Sequence, residues 1–476
     1  MSFGRSFLDV LVAVVLAALS PLALGAERNW TGGDGFWDVP ANWGGSKPTS
    51  LDEAYVDTGA TVTVRTAGEQ ASRLELGYYN TAAGSLTITP SGGLTLGYLV
   101  LAASSDSSSH LDLQPGGVLS TGGAQIGSYG SATAMLAGTL NSSGSLIVGL
   151  KGSGNITQTS GTVSVSSDVS LAPITSSSQG IYRLYGGTLA VARGNSVNLG
   201  GEGTGTLLLG NAAGTGTLMQ TGSGSGVNLN IGQFTDYGGG FTTLGTGELR
   251  GHGNAALTGQ LDLQHGKVIA DGYGTDRLLT LTGFTTVVNG YENEPGHHSG
   301  WYATGKGKLS LPAIAVAAGD HAYNWGESAG DSSIDLVNSF RMAITGAGAS
   351  GSLTASLLAP DHSEIAAGLP GTAIGVWDVG LSGTGFSSAV LTFRYDDLLA
   401  DDPSTLRIYH HTGGVWIDVT AAVSPGTFTI STTPISSLSQ FAVVVPEPGS
   451  LLGGLMGIGG LIVCRLGRGT NDSQRR

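Results

Sequence analysis

Residues 138–172 read GTLNSSGSLIVGLKGSGNITQTSGTVSVSSDVSLA, and two short phrases recur within them. Gly138-Thr139-Leu140 returns as Gly161-Thr162-Val163, and Leu146-Ile147-Val148-Gly149 returns as Val169-Ser170-Leu171-Ala172. Moving outward, the second phrase also occurs as Leu74-Glu75-Leu76-Gly77, Leu99-Val100-Leu101-Ala102, Ala124-Gln125-Ile126-Gly127 and Val197-Asn198-Leu199-Gly200. Successive copies start 25, 25, 22, 23 and 28 residues apart. The first phrase runs in phase with it as Gly92-Gly93-Leu94, Gly116-Gly117-Val118 and Gly187-Thr188-Leu189, giving spacings of 24, 22, 23 and 26. Two markers sharing one period identify a tandem repeat. Between them, stretches such as Leu86-Thr87-Ile88-Thr89 and Leu111-Asp112-Leu113-Gln114 alternate, which puts aliphatics on one face of a strand. Gly, Ser and Thr fill the corners. This pattern predicts a right-handed parallel β-helix whose inward aliphatics stack coil upon coil, so that no unit is stable alone. Leu229-Asn230-Ile231-Gly232 is the last clear echo, which places the repeats at 74–232. An antiparallel β-sandwich would account for the strands but not for the period.

Composition agrees. The 476 residues include 81 glycines and 40% hydrophobic residues but only 11% charged ones, which is neither a disordered chain nor an ordinary enzyme. Glycine has no three-residue period and prolines number 15, which excludes collagen. The single cysteine excludes a disulfide framework or an all-cysteine zinc site. A net charge of −14 disfavours nucleic acid and anionic lipid, leaving divalent cations and neutral or cationic polymers as partners.

Both ends carry targeting features. Arg5, the apolar Val10–Leu19 and the small residues of Ala23-Leu24-Gly25 make residues 1–25 a signal peptide, cleaved between Gly25 and Ala26. At the other end, Val445-Pro446-Glu447-Pro448 precedes the apolar Leu451–Cys464 and then Arg465, Arg468, Arg475 and Arg476. Arginines on that side orient a membrane segment with its C-terminus in the cytoplasm. Gly449–Cys464 is 16 residues, about 24 Å of helix, so a transmembrane helix there is short and depends on Arg465 reaching the interface.

This order of parts at 446–476 resembles the PEP-CTERM sorting domain of Gram-negative surface proteins, carried by Pro446, Glu447 and Pro448, the apolar span, and Arg465 and Arg468. The resemblance implies export across the inner membrane and transient anchoring by the C-terminal helix. It also implies recognition by an exosortase-type enzyme and release to the cell surface or matrix. The repeats resemble autotransporter-type β-helix repeats. Trp30-Thr31-Gly32-Gly33-Asp34-Gly35-Phe36-Trp37, followed by Ala41-Asn42-Trp43, resembles the entry module of such proteins. Residues 26–73 are accordingly expected to cap the solenoid. Trp30, Trp37 and Trp43 serve core packing there or, as the alternative, stack on sugar rings. Residues 233–330 are expected to be a β-rich continuation or connector. In 331–445 the period disappears and longer strands such as Ala389–Tyr395 and Gln440–Val445 follow; this part resembles the β-sandwich modules placed just before sorting signals. The expected fold is thus all-β: a β-helix, then a β-sandwich, then a transmembrane helix.

Catalysis finds little support. Residues 74–232 hold only five acids, Glu75, Asp106, Asp112, Asp168 and Glu202, with no acidic column of the kind a calcium-dependent lyase needs. Alternation with leucines places Glu75 and Asp112 on the solvent side. Gly346-x-Gly348-x-x-Gly351 is a chance match at this glycine content. His297-His298 and His410-His411 are adjacent pairs, which in a strand point to opposite faces. Glu292, Glu294 and His297 read as a solvated loop before a metal site, and Asp396-Asp397 with Asp401-Asp402 as a polar loop before a calcium site. No catalytic residue, resident metal or cofactor is assigned, calcium being the weak exception. The expectation is a non-catalytic adhesin or exopolysaccharide-associated protein. A polysaccharide lyase or glycosidase, and a structural protein with no ligand, are the alternatives.

Overall fold

The computed structural model describes residues 25–79, 83–210, 216–221, 227–231, 234–236, 242–244, 246–251, 255–263, 266–272, 274–287, 298–327, 334–399 and 402–446. The signal segment 1–24 and Glu447, Pro448, Arg465 and Arg468 lie outside these residues, as does the expected transmembrane helix. Among the described residues there are strands and three short 3-10 turns but no α-helix, and no helix is long and apolar enough to cross a membrane.

The repeat folds as a parallel β-solenoid. One coil is shown by Val118–Thr121, Ala124–Ile126 and Ser131–Leu136, the first two on one wall and the third on the other. Each strand pairs in parallel with its counterpart one coil on, so like residues stack. Leu99, Ala124, Leu146, Val169 and Val197 form one inward column, and Leu101, Ile126, Val148, Leu171 and Leu199 the next. All ten are buried. The fourth residue of the second phrase is the corner between walls, with φ of 70°, 55°, 75°, 70°, 53° and 70° at Gly77, Ala102, Gly127, Gly149, Ala172 and Gly200. That left-handed conformation explains why the phrase ends in glycine or the smallest L-residue. At each corner the N–H donates to a carbonyl of the preceding coil, as Gly127 does to Leu101 at 3.1 Å.

The parallel register reaches well beyond the repeats seen in the sequence. It starts at Glu27–Asn29, which pairs with Glu53–Val56 and through it with Glu69–Leu76. At the far end, Ala255–Leu263 pairs with Arg277–Val287, and that strand with Gly307–Ser310. Strands of 26–73 therefore belong to the solenoid, and among the described residues of 233–330 several strands continue its wall.

The separate β-sandwich expected for 331–445 is not supported. Gly307–Ser310, the last parallel strand, pairs antiparallel with Gly351–Leu358, which pairs in turn with Thr372–Ser382 and then Gln440–Val445. One antiparallel sheet thus continues the solenoid wall instead of founding an independent domain. A second sheet, containing Gly319–Trp325, Phe340–Ala347 and Ser388–Arg394, meets it across buried rings: Trp377 and Phe393 lie 4.5 Å apart, and Phe393 and Phe441 6.0 Å apart.

A buried acid sits where this part meets the solenoid. Glu327 Oε1 accepts from the N–H groups of Asp335 and Leu336, both at 2.6 Å, and from Ser339 Oγ at 2.8 Å. Burial, aided by the charge of Asp335, outweighs these donors and pushes the carboxyl up to about 7. The fold therefore favours the protonated form. This contribution, up to about 3 kcal/mol, is complete below about pH 4.5 and lost as pH rises through about 7. Thermal midpoints measured from pH 5 to 8 should fall more steeply for the native chain than for Glu327→Gln, which keeps an acceptor oxygen in place.

Candidate functional site

Outward residues stack as strictly as inward ones. On one wall, Gln70, Thr95, Ser120, Asn141 and Ser164 form a ladder across five coils, with neighbours about 4.8 Å apart. Beside the ladder runs a column of small residues, Gly97, Gly122 and Gly144. A Cβ on any of the three would run into a carbonyl of the coil before it, so these positions hold the backbone close and leave a hollow outside. Ladder and hollow form an open groove of about 450 Å³, lined by Thr95, Ser120, Asn141, Ser143, Ser164 and Ser166 among others. Its lining is mainly hydroxyls, one carboxamide and bare peptide, with Leu96 adding an apolar patch. Thr121 and Ser142 do not face the groove freely: each hydroxyl donates to a corner carbonyl, that of Gly123 at 2.7 Å and that of Gly144 at 3.0 Å.

The strand Gly93–Leu101 carries the groove into a second feature. Tyr98 follows Gly97; its hydroxyl accepts from Gln125 Nε2 at 3.1 Å, and the Arg73 guanidinium sits 5.6 Å from its ring centre. Arg73 also pairs with Glu75 through Nε and Oε1. The alternation placed Glu75 in solvent, and it does point outward, but it is only 4% exposed and its Oε2 has no hydrogen-bond partner. Burial pushes its carboxyl up, opposed by Arg73 and assisted by Glu53 and Asp57. Next to it, Tyr55 donates to Glu53 Oε2 at 2.6 Å. The outward face therefore joins a polar groove to a small acid–tyrosine cluster.

Trp30, Trp37 and Trp43 are 2%, 0% and 3% exposed. Trp43 packs edge-on against both others, 4.9 and 4.8 Å from their ring centres, and its indole N–H donates to Trp37 O at 2.9 Å. They are core of the first coils, and none offers a face to a sugar. Among the described residues the exposed rings are Phe36 and the tyrosines Tyr78, Tyr79 and Tyr129, which follow the corner glycines Gly77 and Gly127. The period marks the corners but not the occupants of the residues after them, so the sequence alone did not single these out.

Gly25 and Ala26 open the described residues, and the Ala26 N–H donates to Asp52 Oδ1 at 2.7 Å. Pro446 directly follows the last strand. Glu292, Glu294, His297 and Asp401 lie outside the described residues. Asp402 caps a 3-10 turn through Ser404 N at 3.0 Å. Asp396 and Asp397 instead meet His298, whose Nδ1 lies 3.2 and 3.3 Å from their Oδ1 atoms. His410 is buried and stacks on Phe441, with ring centres 4.4 Å apart, as a packing residue. No protein-family model, curated protein or solved structure matches this chain.

Proposed function

We propose that this is an exported, non-catalytic surface or matrix protein that holds extracellular polysaccharide along the outer wall of its solenoid. The observation that carries the reading is the ladder Gln70–Thr95–Ser120–Asn141–Ser164 with its glycine-floored hollow. A rigid lattice of neutral donors and acceptors at about 4.8 Å intervals suits a polymer that presents hydroxyls at regular intervals. A net charge of −14 restricts the polymer to neutral or cationic chains, or to anionic ones bridged by divalent ions. Export follows from the signal-like N-terminus and the PEP-CTERM-like residues Pro446, Glu447, Pro448, Arg465 and Arg468. In this reading an exosortase-type enzyme handles the C-terminal segment after it has served as a membrane anchor. The winding is right-handed, as parallel crossover connections are.

The test is co-sedimentation of the secreted chain with polysaccharide from its own source. A Thr95→Val, Asn141→Leu variant should bind at least tenfold more weakly with an unchanged thermal midpoint, because both side chains are exposed. Equal binding by the variant would remove the groove from the reading, and self-assembly without glycan would favour a purely structural role. One observation favours an enzyme instead: Glu75 is a buried carboxyl pushed up beside Glu53 and Asp57, the environment of a general acid. Release of oligosaccharide that is abolished by Glu75→Gln would establish that reading.

A further inference from the structure

We propose a divalent-cation site of the zinc class where the end of the solenoid meets the antiparallel sheets, formed by His298, Asp396 and Asp397. His298 leads into Gly300–Thr304, an outer-wall strand of the solenoid, and the two aspartates follow the strand Ser388–Arg394. His298 Nδ1 lies 3.2 Å from Asp396 Oδ1 and 3.3 Å from Asp397 Oδ1. One ligand atom from each residue falls within 4.8 Å of the other two.

Two observations point to a metal in place of a plain ion pair. The first is that His298 Nδ1 is buried and has no hydrogen-bond partner although it faces two carboxylates. The side chains of His298 and Asp396 are only 12% and 5% exposed, so water does not replace that partner readily. The second is the spacing. A charge-assisted N–H to carboxylate hydrogen bond settles near 2.7–2.9 Å, shorter than either contact here. Ligands bonded to a tetrahedral ion at about 2.0–2.1 Å stand roughly 3.3–3.4 Å from one another, close to the 3.2 and 3.3 Å that separate His298 Nδ1 from the two carboxylate oxygens. The cluster is thus spaced for an ion between its members.

The surroundings fix the aspartate as an outer shell does. Asp396 Oδ1 accepts from Leu398 N at 3.0 Å. The Tyr302 hydroxyl lies 3.2 Å from Asp396 Oδ2 and 2.8 Å from His298 O, so one phenol spans both ligand-bearing segments. The neighbouring cation does not neutralise the pair by contact: Arg394 Nη1 donates to Thr427 O at 3.0 Å, and its guanidinium lies over Phe428. An imidazole nitrogen among the ligands selects a borderline ion such as Zn²⁺ over Ca²⁺ or Mg²⁺. The residue order reads Asp396-Asp397 with Asp401-Asp402 as a polar loop before a calcium site, and His298 is far away along the chain. With three protein ligands, the fourth position falls to water on the side of Asp397, whose side chain is 32% exposed. A bound ion pins the solenoid to the antiparallel sheets.

The test uses the full secreted chain, stripped with a chelator and then titrated with Zn²⁺ and, separately, Co²⁺. Binding of one equivalent, a thermal midpoint raised by several degrees and visible Co²⁺ bands of a nitrogen–oxygen site are expected. Asp397→Asn should lose at least tenfold in affinity while the metal-free protein melts as the native chain does, since Asp397 is partly exposed. Tyr302→Phe should weaken binding about tenfold through loss of ligand orientation. Absence of binding by the native chain, or unchanged stoichiometry and affinity in both Asp397→Asn and His298→Gln, would overturn the proposal. Should His298→Gln fail to fold, Asp397→Asn decides alone.

Discussion

Trp377→Ala is expected to be the most damaging single substitution in the antiparallel part. Trp377 is fully buried, its ring lies 4.5 Å from that of Phe393, and its indole N–H donates to Asn338 O at 3.1 Å. Removing the ring forfeits its burial and leaves a cavity between the two sheets, about 3–5 kcal/mol. The Asn338 carbonyl also loses its donor inside the core, adding about 1 kcal/mol or more. Trp377→Phe restores most of the ring but not the donor and should cost markedly less. Chemical denaturation followed by tryptophan-independent far-UV signal separates the two. Similar losses for both variants would mean that the hydrogen bond, and not the volume, dominates at this position.

The second large effect lies inside the solenoid. One inward column of the opposite wall runs Ile88, Leu113, Leu136, Gln158, Leu184 and Leu209, with one polar residue among aliphatics. Gln158 is fully buried; its Oε1 accepts from Tyr182 Oη at 2.6 Å, and its Nε2 donates to Thr188 O at 3.0 Å. Tyr182 belongs to the adjacent column and is also fully buried. Gln158→Leu leaves the phenol and the carbonyl unpaired, at about 2–4 kcal/mol. Tyr182→Phe orphans Oε1 alone, at about 1–3 kcal/mol. Making both changes removes donor and acceptor together, so the double variant should be more stable than the sum of the single losses by at least about 1 kcal/mol. Strict additivity in a denaturation cycle would show that the two groups act independently.

These examples mark how far the residue order alone carries. The solenoid was legible because coil geometry constrains identity at three kinds of position. Columns such as Leu99–Leu146–Val169 demand aliphatics, Gly127 and its equivalents demand a left-handed corner, and outward positions such as Ser120 and Asn141 tolerate polarity. Gln158 faces inward by the same alternation, two residues after Ile156, but no local pattern marks it as the polar member of an aliphatic column. The first coils were not legible, because Glu27–Asn29 and Gly35–Phe36 are too short to carry the phrases and the tryptophan loop separates them. Glu75 was misplaced because alternation gives direction and not cover; Arg73 and Tyr98 supply the cover from neighbouring positions. The His298 cluster depends on segments that share a hydroxyl between Tyr302 and Asp396, 94 positions apart, and no local pattern encodes such a meeting.

The way the wall begins and ends bears on what larger material the protein can build. A stack of parallel strands is open at both extremities, and another copy can in principle continue it there. Here the first rungs are strands of three and two residues, too small to template a newcomer. At the other extremity Gly351–Leu358 runs against Gly307–Ser310, reversing direction where a further parallel rung would dock. Among the described residues neither extremity offers a long parallel rung to another copy, which turns attention to the flanks as the surfaces where copies could meet.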